Sequence, residues 1–235
     1  MRKHFPNLVT SFNLLSGVVG IVLVMNGNTA YASLMIVLAG VFDFFDGLTA
    51  RWLGVQSPIG RELDSLADVV SFGVLPGLIL LRLYQFYSID YSGFFWVAAG
   101  WLSLLFPMFS ALRLARFNVD TRQEFHFRGL PTPAASLVVA SLDSPGGLSS
   151  FLGAWIMHPL LLVSLGLILC ILMVSDVPFF GLKIKRLSLR IYPVQFGFLG
   201  LSMVLVLLTQ MAGVGMSLLI YLGINLTAAV LKKEI

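Results

Sequence analysis

The chain has 235 residues, of which 58% are hydrophobic and only 11% are charged, with a formal net charge of +4. An average soluble domain carries about 25% charged residues, and one soluble core cannot hide repeated apolar runs of about 20 residues. These values exclude an ordinary soluble domain, and the single cysteine excludes an intramolecular disulfide and a cysteine metal site.

Eight apolar segments along the chain each predict a transmembrane helix. The fifth is interrupted, because Pro131 and Pro133 open it and a Ser-Pro-Gly-Gly stretch closes it early. The eight segments lie near residues 8–26, 30–50, 62–86, 93–114, 130–146, 154–175, 192–210 and 214–231. The sequence therefore predicts an all-α, polytopic membrane protein with a single integral membrane catalytic domain over residues 1–235.

The basic residues fall almost entirely on one side of these segments. If the N-terminus is cytoplasmic, all 15 lysines and arginines except Arg82 lie on the cytoplasmic side. This bias follows the positive-inside rule, and an even number of spans then places both termini in the cytoplasm. Topology thus explains the positive charge without a nucleic-acid partner. A basic run over residues 183–190 would contact anionic membrane lipids, or it only marks the cytoplasmic side. We expect the membrane to be a bacterial cytoplasmic (inner) membrane.

The second and third segments carry four aspartates within 26 residues. Asp43 and Asp46 are three residues apart, so they share one face of the second helix. Asp64 and Asp68 are four residues apart and share one face of the third helix. Because the two helices run antiparallel on either side of a cytoplasmic loop, residues 51–60, we expect all four carboxylates to converge just inside the cytoplasmic interface.

Four converging carboxylates repel one another and are costly to desolvate, so they need positive charge. Arg51 and Arg61 are the nearest bases, and both lie at the loop. One or two divalent cations would neutralise the cluster. Oxygen ligands without histidine or cysteine suit Mg²⁺, Mn²⁺ or Ca²⁺ better than Zn²⁺, and Mg²⁺ commonly shares its shell with substrate phosphates. The alternative, a set of separate interface charges, does not account for two pairs at helical spacing.

Small residues lie beside the two acidic pairs. Gly47 and Ala50 continue the acidic face of the second helix, and Gly60 precedes the acidic pair of the third helix at helical spacing. These residues open a slot for a ligand against the backbone, or alternatively they allow close helix packing. A divalent-cation channel or transporter is a function of a different class, but its acidic residues would be spread through the depth of the membrane.

The spacing of these residues resembles the signature of the CDP-alcohol phosphotransferase family at all eight of its specified positions. The matching residues are Asp43, Asp46, Gly47, Ala50, Arg51, Gly60, Asp64 and Asp68. Two further stretches, residues 6–17 and 113–135, resemble the phosphatidylserine synthase branch of that family. The resemblance implies a homodimer with a six-helix core over about residues 1–177 and two additional transmembrane helices over about residues 190–235.

The resemblance also implies an activity and a set of site residues. An enzyme of this branch would transfer a phosphatidyl group from CDP-diacylglycerol to L-serine, giving phosphatidylserine and CMP. Two divalent ions, Mg²⁺ or Mn²⁺, would be held by Asp43, Asp46, Asp64 and Asp68. The nucleotide and its diphosphate would bind against Gly47, Ala50, Arg51 and Gly60.

An acceptor such as serine needs a base for its hydroxyl and a cation for its carboxylate. Asp68 lies one turn deeper than Asp64 and best fits the general base. The candidate acceptor-binding residues follow the fourth segment and are Arg113, Arg116, Asn118 and Arg128. Topology and snorkelling explain these arginines equally well. They would also suit glycerol 3-phosphate or inositol phosphate, and an amino alcohol is a further alternative acceptor.

Asn7, just before the first apolar segment, and Thr10 and Asn13 within it are further candidate site residues. They could reach the nucleotide from the neighbouring helix. Helix capping by Asn7 or Thr10 is an equally good explanation for those two residues.

Overall fold

A computed structural model describes residues 5–54, 58–119, 127–179 and 193–231. Within these ranges every predicted apolar segment is helical, and the only strands are the two-residue β1 (Phe127–Arg128) and β2 (Pro178–Phe179). The prediction of an all-α protein is therefore confirmed. The basic run over residues 183–190 and the side chain of Arg128 lie outside the described part of the chain.

The helices follow the predicted segments in chain order. They are α1 (Phe5–Met25), α2 (Thr29–Leu53), α3 (Pro58–Val69), α4 (Leu75–Tyr87), α5 (Phe94–Trp101), α6 (Leu105–Val119), α7 (Thr132–Asp143), α8 (Leu148–Leu152), α9 (Pro159–Val174), α10 (Pro193–Thr209) and α11 (Met211–Val230). A π-helical turn, Val70–Val74, joins α3 to α4, and a 3₁₀ turn, Leu102–Leu104, joins α5 to α6. The third and fourth predicted segments are therefore each one continuous helical rod.

Five helical stretches of the described chain are long and apolar enough to cross a membrane, so this is a multi-pass membrane protein. They are Pro6–Met25, Thr29–Leu53, Pro58–Tyr87, Phe94–Val119 and Met211–Ala229. The apolar helices α9 and α10 are shorter, and α7, at the fifth predicted span, has 12 residues. A helix of that length extends about 18 Å, against about 30 Å of hydrocarbon. The count of eight spans stays a prediction.

The short helix α7 lies inside the helical assembly. It packs against α2 and α11, and α11 also packs against α10, so the last two helices join the rest of the protein through α11. Gly215 of α11 approaches the Ser141 hydroxyl so closely that a methyl group would not fit there. The buried residues of α7 are Thr132, Ala135, Ser136, Val138, Val139, Ala140, Ser141 and Leu142. Because most of its residues are buried, α7 contributes to the core whether or not it crosses the bilayer.

The π-helical turn Val70–Val74 directly follows the acidic part of α3. It packs against α1 and α6, and its residues Ser71, Phe72 and Gly73 are buried. Gly73 permits the approach to α6, because a Cβ added there would lie 2.9 Å from Ser110 Oγ. Such turns are frequent at functional sites. Here the turn sets how closely α1 and α6 approach the end of α3.

Residues 127–130 lie against the C-terminal end of α9. Strands β1 and β2 pair antiparallel, with Arg128 opposite Pro178. The Gly129 N–H then donates to Val177 O at 3.0 Å and the Leu130 N–H donates to Leu172 O at 2.9 Å. Gly129 has a φ of +77° and lies against the last carbonyls of α9, where a side chain would collide with backbone oxygen. The Leu130 N–H therefore satisfies one of the carbonyl groups that the end of α9 leaves without an intrahelical partner.

Candidate active site

Three aspartates, one from α2 and two from α3, come together several turns away from the connection between the two helices. The groups are Asp43, Asp64 and Asp68, and one carboxylate oxygen from each lies within 4.8 Å of the others. Asp43 and Asp64 are half-buried, whereas Asp68 is only 8% exposed. Helical spacing places each pair on one face of its helix, and α1 packs against both α2 and α3 where the two acidic faces meet.

The fourth predicted carboxylate, Asp46, lies outside this group of three. It is buried, with 6% of its surface exposed, and it interacts electrostatically with Asp64. The Thr10 side chain of α1 lies beside it. Asp46 therefore belongs to the same acidic region, but it approaches the cluster from the side that faces α1.

The unsatisfied atoms of this region indicate what kind of ligand it fits. Within the described residues, three buried oxygens of the region have no hydrogen-bond partner: Asp46 Oδ2, Asp64 Oδ1 and Asn13 Oδ1. All three are acceptors, and buried acceptors without donors are costly. A hard divalent cation is the ligand that matches several oxygen donors without histidine or cysteine. The residues present therefore fit one or more such ions.

Asp68 receives a hydrogen bond from α1. Asn13 Nδ2 donates to Asp68 Oδ1 at 3.0 Å, and Asn13 is completely buried. The sequence suggested that Asn13 could reach a nucleotide, and the structure places its amide on a carboxylate instead. A signal was available, because Asn13 and Gly17 are four residues apart and so form a polar and small face on an otherwise apolar helix.

The predicted slot beside the carboxylates is open at Gly47. A Cβ added to Gly47 would meet no atom within 4 Å, so this glycine does not serve close packing between helices. Ala50 and Gly60 are half-buried on the two sides of the loop. Arg51 is exposed, and its Nε donates to the Gly47 carbonyl oxygen at 2.9 Å, so the guanidinium folds back along α2 toward the slot.

The predicted acceptor-binding side chains that the structure describes do not form one cluster. Arg113 is 8% exposed, interacts electrostatically with Asp68, and lies over the Phe117 ring at 5.2 Å from the ring centroid. Arg116 is exposed and donates from Nη1 to Val174 O at 2.8 Å, at the end of α9. Of these two arginines, only Arg113 lies beside the aspartates.

The two remaining members of the predicted acceptor set are Asn118 and Arg128. Asn118 Nδ2 donates to Ser65 Oγ at 2.8 Å, which joins the end of α6 to α3 next to Asp64. The hydroxyl of Ser65 was not singled out from the sequence. The side chain of Arg128 lies outside the described residues, and its backbone belongs to β1.

Comparison with known proteins finds a family model and several relatives that match this chain. The family model described as CDP-alcohol phosphatidyltransferase matches residues 3–229. The chain is similar to a Helicobacter pylori protein named CDP-diacylglycerol–serine O-phosphatidyltransferase, with 32% identity over 203 residues, 85% of this chain and 81% of the relative. A Bacillus subtilis protein of the same name is 32% identical over 141 residues, 60% of this chain and 76% of the relative. An archaetidylserine synthase of Methanothermobacter thermautotrophicus is 34% identical over 154 residues, 65% of this chain and 63% of the relative.

Proposed function

Because the chain belongs to the CDP-alcohol phosphatidyltransferase family, we propose that it transfers a phosphatidyl group from CDP-diacylglycerol to L-serine, giving phosphatidylserine and CMP. The observation that carries the proposal is the meeting of Asp43, Asp64 and Asp68 beside the open slot at Gly47. A diphosphate substrate needs positive charge where it binds, and this acidic cluster is suited to hold that charge as divalent cations. The names of the similar proteins support serine as the acceptor.

The acidic region would hold two ions, Mg²⁺ or Mn²⁺, through four aspartates. These are Asp43, Asp46, Asp64 and Asp68. When bound, such ions neutralise the diphosphate and the negative charge on the departing CMP. The unpartnered oxygens of Asp46 and Asp64 support their assignment as ligands, because each has capacity for a further interaction.

The slot beside the acidic cluster would take the cytidine and diphosphate of the donor. The residues assigned to it are Gly47, Ala50, Arg51 and Gly60. Gly47 leaves room for a ligand against the backbone of α2. Arg51, folded back onto the Gly47 carbonyl, supplies a cation next to that space. The acyl chains of the donor would remain among the apolar helices, in the lipid.

Asp68 would act as the general base. The serine hydroxyl oxygen forms a bond to the phosphorus of the phosphatidyl group, and the bond from that phosphorus to the CMP oxygen breaks. The hydroxyl proton passes to the Asp68 carboxylate. The hydrogen bond from Asn13 and the nearby charge of Arg113 orient and stabilise this carboxylate among the other aspartates.

Arg113 is the best-supported partner for the serine carboxylate. It is a buried cation on α6 beside Asp68, so a carboxylate bound by Arg113 would lie next to the proposed general base. Arg116 and Asn118 already have partners, at Val174 and Ser65, so we assign them to holding α6 in place around the acceptor. Arg128 stays a proposed acceptor residue on sequence grounds.

We also place the enzyme in a bacterial cytoplasmic membrane as a homodimer, with both termini and the active site on the cytoplasmic side. The distribution of the 15 basic residues supports this orientation. The test replaces Cys170 with serine, introduces one cysteine at either Asp90 or Gly54, and treats whole cells with a thiol reagent that does not cross membranes. The Asp90 variant should react and the Gly54 variant should not. Labelling of the Gly54 variant from outside the cell would contradict the orientation.

The acceptor is tested with purified protein in detergent, CDP-diacylglycerol and Mn²⁺ or Mg²⁺, by measuring CMP release with each candidate alcohol. We expect release with L-serine, and none with glycerol 3-phosphate, inositol phosphate or ethanolamine. Release only with glycerol 3-phosphate would reject serine while keeping the family chemistry. Failure to release CMP with every acceptor, together with cation flux into vesicles, would reject the enzyme in favour of a transporter.

A further inference from the structure

Asn13 is a buried amide on a helix that supplies none of the clustered carboxylates. It is 0% exposed, and its Nδ2 donates to Asp68 Oδ1 at 3.0 Å across 55 residues of sequence. Asp68 accepts this hydrogen bond where α3 passes into the π-helical turn. The amide is therefore placed to fix the rotation of one carboxylate of the acidic cluster.

The backbone around Asn13 is held in position by the π-helical turn. Ser71 Oγ donates to the Asn13 carbonyl oxygen at 3.0 Å. One turn further along α1, a Cβ added to Gly17 would lie 2.5 Å from Ser71 Oγ and 2.9 Å from Ser71 Cα. Only a residue without a side chain allows this approach. Asn13 and Asp68 are thus held by two contacts that both involve Ser71, which lies three residues beyond Asp68.

The oxygen and the nitrogen of the Asn13 amide differ in what they contribute to stability. In the described part of the chain its amide oxygen has no hydrogen-bond partner although it is buried. A buried acceptor without a donor destabilises the fold, and an apolar residue of the same size would avoid that loss. We therefore attribute the presence of an amide at this position to the N–H group that donates to Asp68.

We propose that Asn13 is a positioning residue: its amide N–H fixes the orientation of the Asp68 carboxylate toward the ions and the acceptor hydroxyl. This inference rests on the proposed function for the assignment of Asp68. A residue that hydrogen-bonds to a metal ligand on the side away from the metal fixes the orientation of that ligand. Removing such a residue typically weakens metal affinity or activity about 10- to 100-fold.

The test is Mn²⁺ affinity, measured by electron paramagnetic resonance on the purified full-length protein in detergent without either substrate. Asn13→Leu removes the N–H donor at similar volume, and we expect Mn²⁺ to bind about 10-fold or more weakly. The matched control is Ser16→Ala. Ser16 is also a buried polar residue of α1, but its hydroxyl donates to Phe12 O of its own helix, so Mn²⁺ affinity should stay within about twofold of the parent protein.

A double-mutant cycle separates positioning from a general loss of structure. In the Asp68→Ala background, Asn13→Leu should cause no further loss of Mn²⁺ affinity, because the carboxylate on which it acts is gone. Asn13→Leu should also lower kcat about 10-fold or more while the KM values for CDP-diacylglycerol and serine change less than about threefold. If Asn13→Leu does not fold, Asn13→Ala provides the same comparison in a smaller side chain.

Unchanged Mn²⁺ affinity in a folded Asn13→Leu protein would overturn the proposal, as would a loss of the same size in the Asp68→Ala background. These outcomes are independent of the acceptor. A protein that does not use serine can still show the effect of Asn13 on Mn²⁺, and a serine transferase can lack it.

Discussion

Arg116 donates a hydrogen bond from Nη1 to the carbonyl oxygen of Val174 at 2.8 Å, which ties the end of α6 to the end of α9. Arg113, three residues earlier on the same helix, is instead buried beside Asp68. Two arginines that look equivalent in the sequence therefore have different surroundings, one at a helix end and one at the acidic cluster.

The first prediction separates these two arginines by their kinetics. Arg113→Ala should raise the KM for serine about 10- to 100-fold, since a hydrogen bond to a charged group is worth about 1.5–3 kcal/mol. Arg116→Ala should leave that KM within about twofold and lower the free energy of unfolding by about 1 kcal/mol. Steady-state kinetics and thermal unfolding measure both effects. Equal changes in the serine KM would place both arginines at the acceptor.

The second prediction concerns Asp68 as the base. Asp68→Asn keeps the size of the side chain and an oxygen that can bind a cation, but it cannot take the serine proton. CMP release should therefore fall about 10²- to 10⁴-fold even at a Mn²⁺ concentration that saturates the variant. The matched control is Asp90→Asn, an exposed aspartate in the turn after α4, which should turn over normally. Normal turnover in Asp68→Asn would remove Asp68 as the base.

The third prediction is stabilisation by a divalent cation. Mn²⁺ bound only by the folded protein should add about 2.7 kcal/mol to stability at a concentration 100 times its Kd. Asp43→Asn removes one negative charge from the cluster of Asp43, Asp64 and Asp68, in which one oxygen of each residue lies within 4.8 Å of the others. The variant should therefore unfold at a higher temperature than the parent in EDTA and gain less from Mn²⁺. A Mn²⁺-induced shift in the unfolding temperature equal to that of the parent would exclude Asp43 as a ligand.

The fourth prediction tests the open slot at Gly47. Both Gly47 in α2 and Gly223 in α11 have free space where a Cβ would lie, so alanine at either position should fold and stabilise its helix by up to about 1 kcal/mol. Only Gly47→Ala should raise the KM for CDP-diacylglycerol, and Gly47→Leu should raise it further, because the added atoms fill space assigned to the nucleotide. A Gly47→Leu enzyme with parental kinetics would show that the slot binds no substrate.

The fifth prediction uses a glycine in tight contact. Gly17→Ala should destabilise the protein by about 1–3 kcal/mol, because the new methyl group would collide with the backbone of Ser71. A backbone, unlike a side chain, cannot rotate away from such a collision. Gly200→Ala in α10 is the control, since a Cβ there meets nothing within 4 Å. Thermal unfolding with tryptophan fluorescence compares the two. Equal stability of the two variants would mean that α1 and the π-helical turn are not held at this distance.

The sequence determined the class of protein and the local pattern of the acidic residues. Long apolar stretches require a bilayer, and the spacing of Asp43 with Asp46 and of Asp64 with Asp68 puts each pair on one helical face. Both conclusions depend on residues within one continuous segment, whose relative positions the geometry of a helix fixes. The sequence could not show that α7 is a buried helix of only 12 residues.

Tertiary structure decided which faces meet. The contact of Asn13 with Asp68, the contact of Arg116 with Val174 and the empty space at Gly47 all depend on how separate helices are placed against one another. In a bilayer the apolar pattern does not specify these placements, because lipid and neighbouring helices are equally good partners for an apolar side chain. Close approach at small residues and a few polar contacts choose among the arrangements, and they act between residues far apart in sequence.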